Sequence, residues 1–238
     1  MKRSLPFVII VLVLAAAVAL AYFLFRKSGS ASETNTSLTG PSQNSQAGSS
    51  NSNSGSVATN HSADTKPNVK VSSPVLIEEY GDYQCPPCGR LYPELKKIED
   101  EYSTQIHFVF HHFPLSKVHK NAMAAAHAAE AARLQNKFWE MHDRLYRNQS
   151  LWAEAPDPRP IFITFAQQLG LNVDQFQRDM ESNRAEQAIS ADMQRALSLG
   201  ITGTPTLIID GQQLSAEATT PEGIRRGINV MLERKRIS

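Results

Sequence analysis

The sequence predicts an α/β domain that carries an inserted block of helices, and three observations support this. An apolar run at residues 75–77 opens a short strand, which Gly81 and Asp82 end. A helix and a second strand follow, and two strands joined in this way are expected to be parallel with a right-handed crossover. A β-hairpin and a last helix close the chain, beyond a helical stretch at about residues 118–200 that is too long for a simple connection.

The N-terminus predicts export. Lys2 and Arg3 precede an apolar run from Leu5 to Phe25, and Arg26-Lys27 close it. This run is long enough to cross a bilayer as a helix, whereas a cleaved secretory signal needs only about 7–15 apolar residues. We therefore interpret residues 1–27 as a signal anchor. A cleaved signal ending near Ala19-Leu20-Ala21 is the alternative, and both place the rest of the chain in the periplasm or at the cell exterior.

The composition changes twice along the rest of the chain. Residues 28–68 contain twelve serines and almost no aliphatic side chains, so they predict a flexible linker. Residues 69–238 have a globular composition and the length of one domain. The whole chain carries a net charge of +1 and residues 1–68 carry +3, which leaves −2 for the domain. Such a balance argues against nucleic-acid binding.

The elements of the domain follow from the spacing of its apolar residues and from its turn signals. Asn172 is a predicted helix cap, Gly170 and Gly200 end helices, and Asp210-Gly211 favours a tight hairpin turn. Strands are predicted at 75–80, 105–110, 206–209 and 212–214. Helices are predicted at 86–102, 119–133, 137–147, 160–169, 173–181, 185–199 and from 220 onward.

The only two cysteines are Cys85 and Cys88, at the start of the first helix. A bridge between them closes too small a loop to constrain the unfolded chain, which favours a redox-active pair over a structural disulfide. Strand, Cys-x-x-Cys, helix is the thioredoxin-like pattern. A helix N-terminus favours thiolate, so Cys85, at the exposed start, is the predicted nucleophile, and the more shielded Cys88 resolves the mixed disulfide. Pro86 is well tolerated at the first helical position.

Four separated motifs then carry a family resemblance. They are Tyr83-Gln84-Cys85-Pro86-Pro87-Cys88, His112-Phe113-Pro114-Leu115, Lys137-Phe138-Trp139-Glu140-Met141-His142 and Gly203-Thr204-Pro205-Thr206. Together they resemble the DsbA-like thiol:disulfide oxidoreductases, in particular the membrane-tethered bacterial members, over essentially all of residues 69–238. The resemblance implies a thioredoxin-like fold with a helical insertion in an extracytoplasmic setting.

The resemblance also implies roles for individual residues. Cys85 matches the nucleophile and Cys88 the resolving cysteine, while Pro205 matches a cis-proline that faces them, with Thr204 before it. Glu79 matches an acidic residue buried behind the pair. The chain departs from the family in its dipeptide: Pro86 and Pro87 stand where the best-studied periplasmic oxidases have a histidine. Because prolines add no charge and no N–H group, we expect a milder oxidant.

The strand pattern supports a buried Glu79, because it shares a face with Val75 and Ile77. Burial should raise the pKa of Glu79 and suit it to accept the proton of Cys88. The alternative is a solvated residue at a strand end, and Pro205 has the alternative of an ordinary turn proline. A zinc site would need two ligands besides the cysteines, and no second spaced pair supports one. Histidines 111, 112 and 119 are the candidates. We interpret His111-His112 as a strand end, and Phe138 and Trp139 as core residues.

The expected function is an exported, membrane-anchored thiol:disulfide oxidoreductase without a cofactor. Its substrates would be unfolded or thiol-containing exported proteins, and the resemblance implies a membrane redox partner such as a quinone-linked reoxidant. A disulfide reductase or isomerase fed by a membrane electron donor is the alternative within this class. From another class, the alternative is a tethered metal-binding thiol module.

Overall fold

The computed structural model describes residues 74–237, so the predicted signal anchor at 1–27 and linker at 28–68 lie outside the described residues. Within 74–237, no helix combines the length and apolar character needed to span a membrane. The strands are β1 (Val75–Gly81), β2 (Ile106–His112), β3 (Thr206–Ile209) and β4 (Gln212–Gln213). The helices are α1 (Pro86–Glu101), α2 (Ala122–Arg133), α3 (Phe138–Arg147), α4 (Gln149–Trp152), α5 (Arg159–Gln168), α6 (Val173–Met180), α7 (Asn183–Ser198) and α8 (Pro221–Arg236).

The four strands form one sheet in the order β2-β1-β3-β4. β1 and β2 are parallel, as the intervening helix predicts, and their pairing continues to Gly81 opposite His112. β3 runs antiparallel to β1 and pairs with β4 through the predicted hairpin. Asp210 and Gly211 both have positive φ angles, of 46° and 80°, which the tight primed turn requires. The predicted α/β fold is therefore confirmed.

Each face of the sheet buries its own cluster of side chains. Ile77 and Leu207 belong to the larger cluster, which also contains both cysteines, the inner sides of α1 and α8 and much of the insertion. Tyr80 and Ile208 belong to the smaller cluster, with Ala196 of α7. Because side chains alternate across a strand, Glu79 faces the larger cluster and Glu78 the smaller one. Burial of Glu79, predicted from this alternation, is confirmed.

Helices α2 to α7 lie between β2 and β3, which confirms the predicted helical insertion. The alanines of α2 other than Ala124 are almost completely buried, and their small side chains let neighbouring helices approach closely. Trp152 in α4 has no exposed surface, and its indole N–H donates to the Leu145 carbonyl at 2.9 Å. This bond attaches α4 to α3, beside the first turn of α1.

The structure differs from the predicted elements mainly at their ends. α2 begins at Ala122 rather than His119, because residues 115–121 form turns in which His119 binds Asp82 instead of continuing a helix. β2 runs on to His112 because its pairing with β1 continues. α7 begins at Asn183, since the Ser182 side chain accepts the hydrogen bond of the Ala185 amide. The sequence did not predict α4, which is too short to show a helical period.

Candidate active site

The first turn of α1 carries both cysteines. Cys85 occupies the N-cap position, and Pro86 and Pro87 follow at the first two helical positions, where no N–H group is needed. The Cys85 amide donates to the Asp82 carbonyl at 3.0 Å, and the Gly89 amide donates to the Cys85 carbonyl at 3.1 Å. These bonds set the direction in which the chain enters the helix.

Cys85 is less exposed than we expected. Only 4% of its surface is accessible, and Cys88 has none, so the prediction of an exposed Cys85 was wrong. The reason lies in the insertion, because α4 packs against the first turn of α1. The Gln149 side chain donates to the Tyr83 carbonyl at 2.7 Å and to the Cys85 carbonyl at 3.0 Å. A side chain on Gly89 would collide with Gln149, with its Cβ only 2.6 Å from the Gln149 Oε1 atom.

A second attachment holds Gln84, the residue before Cys85. The Asn121 amide donates to Gln84 Oε1 at 2.6 Å, and Gln84 Nε2 donates to the Ala153 carbonyl at 2.6 Å. Asn121 Nδ2 donates in turn to the carbonyls of Trp152, Ala153 and Ala155. The sequence does not predict these roles of Asn121 and Gln149. Neither belongs to a motif, and the bonds of Gln149 join residues more than 60 positions apart.

The turn before β3 faces the thiols. The Thr204–Pro205 peptide bond is cis, as expected. The Cys85 thiol donates to the Thr204 carbonyl, with 3.4 Å between the sulfur and oxygen atoms. The Thr204 hydroxyl is also buried, and it donates toward the Cys85 sulfur when that sulfur is a thiolate. The structure therefore brings Cys85, Thr204 and Pro205 together from opposite ends of the domain.

The two thiols have opposite pKa shifts. Donation from the Cys88 side chain lowers the pKa of Cys85 most, and Thr204 and the Cys88 amide lower it further, to about 6. Burial and the Asp82 charge act in the other direction. The sequence predicts that the helix N-terminus lowers the pKa of Cys85. The structure corrects this prediction, because the Cys88 thiol lowers that pKa most. Burial raises the pKa of Cys88 well above its usual range, and Cys85 and Glu79 add to that increase.

Glu79 lies behind the pair, on the face of β1 that carries the larger cluster, and only 2% of its surface is accessible. Burial raises the pKa of Glu79 to about 8, and the Glu99 and Cys85 charges contribute. Its Oε1 atom has no hydrogen-bond partner within the described part of the chain. The predicted direction and cause of the shift are confirmed, and its role as a proton acceptor stays a prediction.

Gly81, two residues further along β1, leaves room for the aromatic rings beside Glu79. A Cβ atom there would lie 2.4 Å from the Phe110 ring and 3.0 Å from the Tyr146 hydroxyl. Tyr146 packs against Tyr83, with 4.9 Å between ring centroids. The side of the pair that faces the core is therefore lined by aromatic rings.

The histidines considered as zinc ligands each bind a carboxylate instead. His111 contacts Glu78 and Asp192, His112 contacts Glu130, and His119 contacts Asp82. Across residues 74–237, no group of three or more His, Cys, Asp or Glu side chains is arranged to hold a metal ion. His111 and His112 lie at the end of β2, and Phe138 and Trp139 pack in the core, as predicted.

Comparisons with known proteins agree with this geometry. A family model described as Thioredoxin matches residues 70–229. The probable disulfide bond formation protein D of Bacillus cereus is 29% identical over 151 residues, which cover 60% of this chain and 68% of that protein. The Na(+)/H(+) antiporter NhaA 1 of Salinispora arenicola is 37% identical over 142 residues. That match covers 59% of this chain and 21% of the antiporter, so the chain spans about a fifth of such relatives.

Solved structures share the fold. A thioredoxin-like oxidoreductase from Silicibacter pomeroyi has a TM-score of 0.55 at 25% identity, with 69% of this chain and 87% of that chain covered. Oxidised BdbD from Bacillus subtilis has a TM-score of 0.62 at 19% identity, with 69% and 91% covered. The thiol-disulfide exchange protein alpha-DsbA2 from Wolbachia pipientis has a TM-score of 0.61 at 20% identity, with 72% and 88% covered.

Proposed function

The chain belongs to the thioredoxin family, and from this premise we propose that it is a thiol:disulfide oxidoreductase that introduces or exchanges disulfides in other proteins. The predicted resemblance to the DsbA-like proteins is confirmed by the relatives and the shared fold. The names of those relatives refer to disulfide bond formation and thiol-disulfide exchange. The antiporter names belong to much longer proteins, and we carry no transport activity over to this chain.

The observation that carries the proposal is the difference between the two thiols at the start of α1. Cys85 has a pKa lowered to about 6, so its thiolate is available near neutral pH. Cys88 is fully buried with a raised pKa, so it is protonated under the same conditions. One sulfur is therefore prepared to attack or to leave as an anion, and the other needs a proton acceptor.

The reaction follows from these states. A substrate thiolate attacks Cys85 of the oxidised pair, the Cys85–Cys88 bond breaks, and Cys88 leaves with the electron pair and takes a proton from Glu79. A second substrate thiolate then attacks the substrate sulfur of the mixed disulfide. The substrate disulfide forms and Cys85 leaves as a thiolate. The substrate is oxidised by two electrons, and the pair is reduced by two.

The lowered pKa of Cys85 favours oxidation of substrates. The groups that favour the Cys85 thiolate stabilise only the reduced protein, because the oxidised protein has a disulfide and no thiolate. The first helical amide donors are missing at Pro86 and Pro87, so we expect a milder oxidant than a histidine-containing dipeptide would give. The reductase or isomerase alternative requires the oxidised protein to be more stable than the reduced protein.

The setting and partners belong to the same proposal. The apolar run at residues 5–25 supports a membrane-anchored protein. Its basic flanks are nearly balanced, so the extracytoplasmic position of the domain rests on the resemblance to the DsbA-like proteins. Substrates there would be exported proteins with free thiols. Turnover as an oxidase then requires a membrane partner that accepts two electrons from the reduced pair.

Trapping of mixed disulfides tests the proposal. Full-length protein with Cys88→Ser should accumulate covalent complexes with exported proteins, because the Cys85 thiolate still attacks substrate disulfides and Cys88 is no longer present to release the mixed disulfide. Cys85→Ser should accumulate none. Complexes would be separated by non-reducing electrophoresis after acid quenching, with the Cys85→Ser/Cys88→Ser protein as the matched control.

Two results would overturn the proposal or part of it. Complexes on Cys85→Ser alone would reverse the two roles. Stoichiometric metal bound by the reduced protein, together with no exchange with glutathione, would support the tethered metal-binding module instead.

A further inference from the structure

A buried carboxylate, Asp82, and the histidine that binds it, His119, lie close to Cys85, and neither has a role in the reaction above. The Asp82 carboxylate has no exposed surface. Its Oδ1 atom accepts the Gln84 amide at 2.7 Å, and its Oδ2 atom accepts the Leu115 amide at 2.9 Å and His119 Nδ1 at 2.6 Å. A carboxylate held by two amide donors accepts at both oxygens, so His119 Nδ1 carries a hydrogen and donates it.

The charge on Asp82 acts on Cys85. The two residues are three positions apart, and the Cys85 amide donates to the Asp82 carbonyl. The negative charge disfavours a second one on the sulfur and so raises the pKa of Cys85, against the groups that lower it. Any donor or cation on the Asp82 carboxylate reduces this repulsion.

His119 provides such a donor from outside the first turn of α1. It belongs to the turn that follows β2, where its amide donates to the Leu115 carbonyl at 2.9 Å. Its side chain is 19% exposed, whereas the Asp82 carboxylate has no exposed surface. The imidazole therefore contacts solvent and also binds the buried carboxylate through its Nδ1 atom. From the sequence, His119 is only a candidate zinc ligand.

We propose that His119 is a positioning residue that sets the redox potential of the Cys85–Cys88 pair, by binding Asp82 and offsetting its charge at Cys85. This inference rests on the proposed redox function. With His119 in place, the Cys85 thiolate and hence the reduced protein are stabilised. Without it, the uncompensated Asp82 carboxylate disfavours the thiolate and makes the protein a weaker oxidant.

The test measures two quantities on the full-length protein in detergent micelles. One is the equilibrium constant for reduction of the pair by glutathione, and the other is the titration of the Cys85 thiolate by its ultraviolet absorbance. His119→Leu should lower the equilibrium constant by roughly threefold to tenfold, and tenfold corresponds to about 30 mV for a two-electron couple. His119→Asn, which keeps a donor near the position of Nδ1, should restore part of the loss.

A double-mutant cycle separates the pair from a general charge effect. Asp82→Asn should raise the equilibrium constant, and adding His119→Leu to it should change nothing further. Lys117→Met removes an exposed positive charge two residues from His119, and it should leave both quantities unchanged.

Three outcomes would overturn the inference. The first is an equilibrium constant that His119→Leu leaves unchanged. The second is a His119→Leu effect of the same size with and without Asp82→Asn. The third is an equally large change in Lys117→Met. If His119→Leu does not fold, His119→Ala, which also lacks a donor, takes its place in the cycle with the same criteria. A pair that never exchanges with glutathione would contradict the proposed function, which is a different result from a working pair with an unchanged potential.

Discussion

β1 carries two adjacent buried carboxylates, Glu78 and Glu79, which differ in the cluster that they face and in their hydrogen bonds. Glu78 is 6% exposed and faces the smaller cluster, while Glu79 is 2% exposed and faces the thiols. Glu78 Oε1 contacts His111 Nε2 at 3.1 Å and accepts from Arg195 at 2.8 Å. Glu79 Oε1 has no hydrogen-bond partner in the region 74–237.

The partners decide what burial does to each group. The hydrogen bond to His111 lowers the pKa of Glu78, and although burial opposes this, Arg195 lowers it further. Burial without such partners raises the pKa of Glu79 to about 8. A paired carboxylate is a structural anion, whereas an unpaired one beside a thiol is suited to carry a proton. Substitution of each residue in turn therefore tests the comparison.

The largest effect is expected for Glu79→Gln. The raised pKa means that the native protein binds a proton that the unfolded chain has lost at pH 7. The resulting cost in stability appears above about pH 4.5, grows to its full size above about pH 8, and is absent in acid. Glutamine removes the cost, so the free energy of unfolding at pH 7 should rise by about 2–3 kcal/mol. Urea unfolding at pH 7 and at pH 4 checks this, since no gain is expected at pH 4.

The same variant should slow the resolving step. Cys88 must lose its proton to attack a mixed disulfide, and loss of a general base typically costs roughly 100-fold or more. Stopped-flow mixing of the reduced protein with a disulfide substrate should show this second phase slowed and the first attack by Cys85 nearly unchanged. Two unchanged phases would leave Glu79 with a structural role only.

Glu78→Gln should have the opposite and smaller effect on stability. It removes the anion that His111 and Arg195 bind, which should lower the free energy of unfolding at pH 7 by about 1–2 kcal/mol. The Arg195 side chain is 52% exposed, so solvent screening keeps the loss at this level. Because the pKa of Glu78 is lowered, the stabilisation is lost as the pH falls through the folded value, and the variant should approach the parent protein in acid. Its thiol kinetics should not change, and a more stable variant would contradict the comparison.

The smallest effect concerns the two thiols, whose pKa values shift in opposite directions because Cys85 accepts hydrogen bonds as a thiolate and burial keeps Cys88 protonated. Cys85 has a pKa lowered from its ordinary 9.0 to about 6, so the reduced protein gains stability that is complete above pH 9 and lost as the pH falls through 6. At pH 7 the gain should be about 1 kcal/mol after allowance for solvent screening, or a few degrees in Tm. Thermal unfolding of both redox forms from pH 5 to 9 checks it. An oxidised form that melts higher throughout would support the reductase alternative.

The residues predicted from the sequence are those whose signal is local. Alternation along β1 placed Glu79 on the inner face, and the Cys-Pro-Pro-Cys spacing placed both thiols in the first turn of α1. The Gly203-Thr204-Pro205-Thr206 motif led to the cis-proline through the family resemblance. Each of these depends on backbone geometry within a few residues, or on a motif that resembles those of known proteins.

The residues that the sequence missed depend on how the insertion packs. Gln149 reaches the carbonyls beside Cys85, and Asn121 holds Gln84, across separations of 64 and 37 residues. The same packing buries Cys85, which a helix N-terminus alone would leave exposed. The sequence by itself therefore determined which two sulfurs lie in the first turn of α1 and which carboxyl lies behind them. Only the tertiary structure decided what surrounds them, because hydrogen bonds between distant segments have no periodicity that a sequence can display.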